Sequence, residues 1–190
     1  MVDIIYIHGF LSSPASFKAQ ATQAWLSVHR PELSFHCPAL SSYPEQALNT
    51  LLSCVESCSS KPCLIGSSLG GFWASYLIEE GLADKAVLVN PAVSPHTRFQ
   101  HYIGQSLKSY YSDDYYCLSV ADLQRLADAE KPVIHVDRYW VLLQTGDEVL
   151  GYRMAEQRYH ACEQLIEQGG DHSFTGYDRH LEAMMHFFGF

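Results

Sequence analysis

Apolar and polar positions along the chain alternate between two periods. Short runs rich in β-branched and aromatic residues recur at DIIYIHG, LSFHCPA, PCLIGS, KAVLVNP, WVLLQTG and CEQLIEQ, each closing near Gly, Pro or a polar turn residue. Between them, residues 16–29, 45–57, 72–80, 152–160 and 177–187 place apolar side chains at helical spacing. Strands alternating with crossover helices predict an α/β fold with a mostly parallel sheet of about six strands, flanked by helices. The polar residues that end the strands then gather along one sheet edge.

One stretch breaks this rhythm. Residues 96–138 are long for a connection, carry Tyr102, Tyr110, Tyr111, Tyr115 and Tyr116, and show one clear helical segment at 120–129. They read as a small loop-rich, cap-like insertion over the site or as an ordinary pair of surface helices, and composition alone favours neither. Pro14 and Pro44 stand near the starts of the first two helical segments, where a missing N–H costs little. No internal repeat is visible.

Composition narrows the possibilities. A chain of 190 residues fits one domain, 1–190, with a full hydrophobic core and no room for a second catalytic module. The net charge of −9 repels polyphosphate backbones, so nucleic acid is a poor partner. The chain enters its first apolar run without a basic region or a cleavage site, and no segment has the length of apolar sequence a membrane span needs; the expectation is a cytoplasmic protein with no membrane span. The six cysteines, at 37, 54, 58, 63, 117 and 162, are expected to be reduced. Zinc at Cys54, Cys58 and Cys63 is the sharper alternative, but paired C-x-x-C spacing and a nearby histidine pair are missing. No metal or other cofactor is expected.

The chemistry enters at Gly66-Ser67-Ser68-Leu69-Gly70, a G-x-S-x-G pattern that follows an apolar strand and precedes a helical segment. At such an elbow the chain reverses so tightly that the positions two before and two after the serine must be small, and both are glycine. This predicts Ser68 as nucleophile, held at a helix amino terminus where free N–H groups favour developing negative charge. Ser67 lacks glycine at both offsets and reads as a turn or packing residue.

A serine hydroxyl needs a base, and the base needs a carboxylate to fix its tautomer. In this fold the chain order is Ser, Asp or Glu, His. His172 follows CEQLIEQGG and Asp147 follows WVLLQTG, so both leave late strands on the edge that presents Ser68. Glu148 is the rival acid and Asp171 a weaker one. The other histidines, His29, His36, His96, His101, His135, His160, His180 and His186, read as surface or capping residues. Backbone N–H groups of Phe10, in His8-Gly9-Phe10 after the first strand, and of Leu69 are the expected oxyanion donors, with Leu11 behind Phe10 as a substrate-binding candidate. His8 is expected to hold that loop by hydrogen bonds, and Phe10 with the tyrosines of 96–116 to line an acyl pocket or to sit in the core.

The blocks IYIHGFLSSPASFKA, LIGSSLGG, LVNPAV, LLQTGDEVL and GGDHSF, in this order, resemble the YqiA-type small bacterial esterases across nearly the whole chain. The resemblance implies a compact α/β-hydrolase with Ser68, Asp147 and His172 in the catalytic positions. It also implies esterase or thioesterase activity on small acyl esters, including short-chain esters, and on fatty acyl-CoA. Gly151, after GDEVL, departs from the aspartate expected in that group. The competing classes are a binding or regulatory protein on the same fold, and a serine hydrolase acting on an amide or peptide bond.

Overall fold

The structure, a computed structural model, describes residues 2–190. Its elements are β1 (Asp3–Ile7), α1 (Phe17–His29), β2 (Ser34–His36), α2 (Pro44–Glu56), β3 (Cys63–Ser67), α3 (Leu69–Glu79), β4 (Ala86–Val89), α4 (Pro95–Arg98), β5 (Leu107–Lys108), β6 (Tyr115–Tyr116), α5 (Val120–Ala129), β7 (Tyr139–Gln144), α6 (Tyr152–Arg158), β8 (Glu163–Glu167) and α7 (Leu181–Phe188). Short 3-10 turns lie at Phe99–Tyr102, Val136–Arg138 and Tyr177–His180.

All six strands expected from the sequence pair in one parallel sheet of order β2-β1-β3-β4-β7-β8. Residues of one strand alternate between two layers. Ile5, Ile7, Leu64, Leu88 and Val141 face α2, α3, α5 and α6, which contribute Leu51, Phe72, Leu126 and Ala155. Ile4, Tyr6, Ile65, Val87 and Leu142 face α1 and α7, which contribute Leu26 and Met184. Central strands covered on both faces read as continuous apolar runs, which is why they were visible in the sequence. Each fully buried aliphatic side chain contributes about 1.5–3 kcal/mol. Among the described residues no helix is long and apolar enough to cross a membrane.

The boundaries differ from expectation in three places. The edge strand β2 is only three residues long and half-buried, because it has a partner on one side alone. Helix α3 begins at Leu69, earlier than the apolar period implies, because Gly70 and Gly71 hide its first turn from a periodicity reading. The 177–187 segment opens as a 3-10 turn before α7. Within 96–138, α5 starts at a capping box between Ser119 and Asp122 and buries Leu126 in the layer under the sheet. The preceding residues contain the antiparallel β5–β6 hairpin, whose Tyr110 N–H donates to Leu11 C=O at 2.9 Å.

The sheet order fixes where a site can form. From β1 the chain steps outward to β2, then returns across β1 to β3, so successive connections part at the carboxyl ends of β1 and β3. The loop after β1 and the turn after β3 meet in that crevice. There α3 lies so close to β1 that a Cβ on Gly70 would stand 1.9 Å from Ile7 O. Gly70→Ala is expected to cost about 3 kcal/mol or more by forcing helix and strand apart. The urea midpoint of the purified variant measures this, and a midpoint equal to the parent's would contradict the packing described.

Candidate active site

Ser68 occupies the turn between β3 and α3 with φ 56° and ψ −121°, a conformation that a side-chain-bearing residue rarely adopts. Such strain costs on the order of 1–3 kcal/mol and persists only where neighbours over-determine it. Here Ser68 N–H donates to Val89 O at 3.1 Å, and Ser68 C=O accepts from Gly71 and Ala92 N–H at 2.9 Å each. The reversal brings Gly66 against Gly70, where a Cβ on Gly66 would be 2.5 Å from Gly70 O. Ser67 is buried on β3, whereas Ser68 is half-exposed at the head of the helix.

His172 lies in the loop between β8 and α7, and its Nε2 stands 3.1 Å from Ser68 Oγ. Its Nδ1 is 3.0 and 2.9 Å from the two carboxylate oxygens of Asp147, whose side chain is 1% exposed. Burial alone would raise the Asp147 pKa, but the hydrogen bond from His172 and the N–H groups of Leu150 and Val149 together hold it below the usual value. Those two N–H groups donate to Asp147 Oδ1 at 2.9 Å each. An ionised Asp147 keeps the proton on Nδ1 and leaves Nε2 to accept from the serine hydroxyl.

The rival acids sit elsewhere in the same cluster. Glu148 Oε2 accepts the backbone N–H of His172 at 3.0 Å, so it fastens the loop and does not meet the ring. Asp171 Oδ2 accepts from Thr175 Oγ1 at 3.1 Å. The structure thus brings Ser68, His172 and Asp147 into one hydrogen-bonded chain, with Glu148 supporting the histidine from behind.

Two residues that the sequence reading passed over hold this loop in place. Gln144, 2% exposed, accepts the N–H groups of Asp171 and Thr175 at 3.1 and 2.9 Å and donates to Thr175 C=O at 2.8 Å. Asn90, also 2% exposed, donates to Asp171 C=O at 3.0 Å and His172 C=O at 3.3 Å, and accepts Gln144 N–H at 3.0 Å. A polar side chain ending an otherwise apolar strand, in LVN and LLQ, was the available signal. Lys18 of α1 adds a third tie, donating to Ser173 C=O at 2.8 Å. Burial pulls the Lys18 pKa down to about 8, against the opposing pull of the Asp171 and Asp147 charges.

On the other side of Ser68 runs the loop after β1. A Cβ on Gly9 would lie 3.2 Å from Ser68 Cβ, so the backbone passes directly over the serine. Phe10 and Leu69 N–H have no backbone or side-chain acceptor among the described residues. Leu11 is buried, with its N–H donated to Ser42 Oγ at 3.1 Å and its C=O taken by the hairpin. His8 is buried, and the burial lowers its pKa. As a neutral ring it donates from Nδ1 to Gly9 O at 3.0 Å and accepts Leu40 N–H on Nε2 at 3.0 Å. The Phe10 ring packs on Phe99 at 4.6 Å and faces Tyr102 at 6.3 Å. Tyr116 packs edge-on against Tyr43, while Tyr110, Tyr111 and Tyr115 are exposed, Tyr110 at 76%. A His/Cys/Asp/Glu group whose ligand atoms lie within 4.8 Å of one another, Asp3 with His36 and Cys58, contains none of the residues around Ser68.

Over residues 3–189 the sequence matches the uncharacterised protein family UPF0227. The chain belongs to that family. Its fold is that of the α/β-hydrolases, as its likeness to solved structures shows. Alpha/beta hydrolase domain-containing protein 10 from mouse is similar at 17% identity and a TM-score of 0.72, covering 97% of this chain and 88% of that one. Est1E from Butyrivibrio proteoclasticus with ferulic acid bound has 17% identity and a TM-score of 0.70, covering 99% and 88%. The monoacylglycerol lipase of Paleococcus ferrophilus has 12% identity and a TM-score of 0.68, covering 97% and 94%.

The buried amide of Gln144 makes a specific prediction for this family member. Gln144→Leu leaves two N–H groups and one C=O of the 171–175 loop without partners, at a cost of about 2–4 kcal/mol. Amide exchange of Asp171 and Thr175 is expected to accelerate more than that of the central strands. Uniform acceleration across the sheet would instead mean that Gln144 acts on global stability alone.

Proposed function

We propose that the chain is a serine hydrolase that cleaves small acyl esters or acyl thioesters. The observation that carries this reading is the unbroken chain from Ser68 Oγ through His172, 3.1 Å away, to a buried carboxylate 2.9 Å beyond. In the proposed cycle Ser68 Oγ attacks the acyl carbon as its proton passes to His172 Nε2. Asp147 stays ionised and stabilises the imidazolium. Phe10 and Leu69 N–H receive the oxyanion, each such donor being worth about 10²–10³ in turnover. His172 then protonates the departing alkoxide or thiolate, and water repeats the sequence on the acyl-enzyme. No step calls for a metal or cofactor.

The half-exposed Phe10, Phe99 and Tyr102 cluster beside this loop suits an apolar acyl group. The monoacylglycerol lipase among the structural relatives is in keeping with acyl-ester chemistry. A binding-only role is disfavoured by the cost of holding Ser68 at φ 56° in a turn that recognition alone does not need.

A fluorophosphonate probe is expected to label Ser68, to label Ser67→Ala equally and to leave Ser68→Ala unlabelled. Folded parent protein that takes no label, or takes it at Ser67, would sink the proposal. Asp147→Asn is expected to lower kcat by about 10⁴-fold, whereas Glu148→Gln retains most turnover; the reverse ranking would transfer the orienting role to Glu148. Butyryl and palmitoyl esters with their acyl-CoA counterparts then measure acyl length and thioester preference.

A further inference from the structure

Beside the amino-terminal half of β1, away from Ser68, three groups with no part in this chemistry converge. Asp3 opens β1, His36 closes the neighbouring β2, and Cys58 follows the end of α2. One ligand atom from each lies within 4.8 Å of the other two, and His36 Nε2 is 2.8 Å from Asp3 Oδ1. The cysteine set that the sequence suggested is divided by the sheet. Cys63 belongs to the layer of Ile4 and Tyr6, whereas Cys54 and Cys58 pack in the layer of Ile5 and Leu51. Asp3 and His36 supply, from the strands, the donors that spacing along the chain could not reveal.

We propose that Asp3, His36 and Cys58 bind a zinc ion. A carboxylate, an imidazole and a thiolate form a donor set of borderline softness, which suits zinc better than magnesium or calcium. Zinc bond lengths at a tetrahedral angle place such donors roughly 3.3–3.6 Å apart. In the structure the three atoms lie within 4.8 Å of one another, and zinc entering among them would replace the Asp3–His36 hydrogen bond of 2.8 Å. On binding, the Cys58 thiol gives up its proton to solvent as the zinc–sulfur bond forms, and water fills the fourth position.

One further feature separates this group from an ordinary surface ion pair. The Asp3 side chain is 9% exposed, and its Oδ2 accepts Ser59 N–H at 3.2 Å and Ser59 Oγ–H at 3.4 Å, which orients the carboxylate as outer-shell partners orient metal ligands. The ion would fasten an edge strand of three residues to β1 and to the end of α2. Its place is stability, and it leaves the reaction at Ser68 untouched.

The full-length protein, stripped with a chelator, is titrated with Co²⁺ as a spectroscopic substitute and then with Zn²⁺. The expected result is one Co²⁺ per chain, with the intense visible bands of a tetrahedral site and a thiolate-to-cobalt charge-transfer band, both abolished by Zn²⁺. Zn²⁺ is expected to raise Tm. Cys58→Ser removes the charge-transfer band, and His36→Gln weakens binding by at least about tenfold; Cys117→Ser and Ser68→Ala keep both band and affinity. Circular dichroism establishes that each variant is folded, and Asp3→Asn replaces any that is not. Cobalt bound without a thiolate band, a band that survives Cys58→Ser, or no binding by the parent would overturn the proposal and leave Asp3 and His36 as an ion pair joining β1 to β2.

Discussion

The geometry around Ser68 depends on one constraint, the forced reversal of the chain between β3 and α3. With φ at 56°, Ser68 holds a conformation that its own side chain disfavours, and hydrogen bonds to Val89, Gly71 and Ala92 keep it there. The reversal is possible only because the carbonyl of Gly70 occupies the space that a Cβ on Gly66 would fill. It sets the hydroxyl above the sheet, turns the helix amino terminus toward the crevice and leaves room for the loop after β1 to cross directly overhead.

The partners of Ser68 are held by different means. Asp147 owes its position to its own loop, whose N–H groups close onto one of its oxygens. His172 has little regular structure of its own and is held from several sides, by Glu148 through its backbone N–H, and by Gln144, Asn90 and Lys18 through the residues around it. Paired buried amides give this loop the rigidity that a helix would otherwise provide.

The six strands and the main helices were legible because burial on two faces, or on one stripe, leaves a periodic mark in the sequence. The convergence of Ser68, His172 and Asp147 was legible as well, since the elbow needs glycines at fixed offsets and the others follow late strands in a set order. The β5–β6 hairpin was not, because two-residue strands have no period to detect. Asn90 and Gln144 were hidden for another reason. Their role lies in contacts with residues 171–175, and Gln144 looks like any polar residue closing a strand until the loop it fills is seen beside it. Which of Asp147 and Glu148 meets the His172 ring likewise depends on side-chain direction, which adjacent positions in a sequence do not reveal.

The tie between Lys18 and Ser173 and the buried hydrogen bond between Thr22 and Tyr177 each join residues 155 positions apart. Contacts of such separation close late, since most of the loop entropy must be lost before they form. On a ribosome, the elbow can be complete while the segment bearing His172 is still unmade. A chain cut short before that segment would lack the imidazole, and Thr22 on the first helix would lose the Tyr177 hydroxyl that pairs with it.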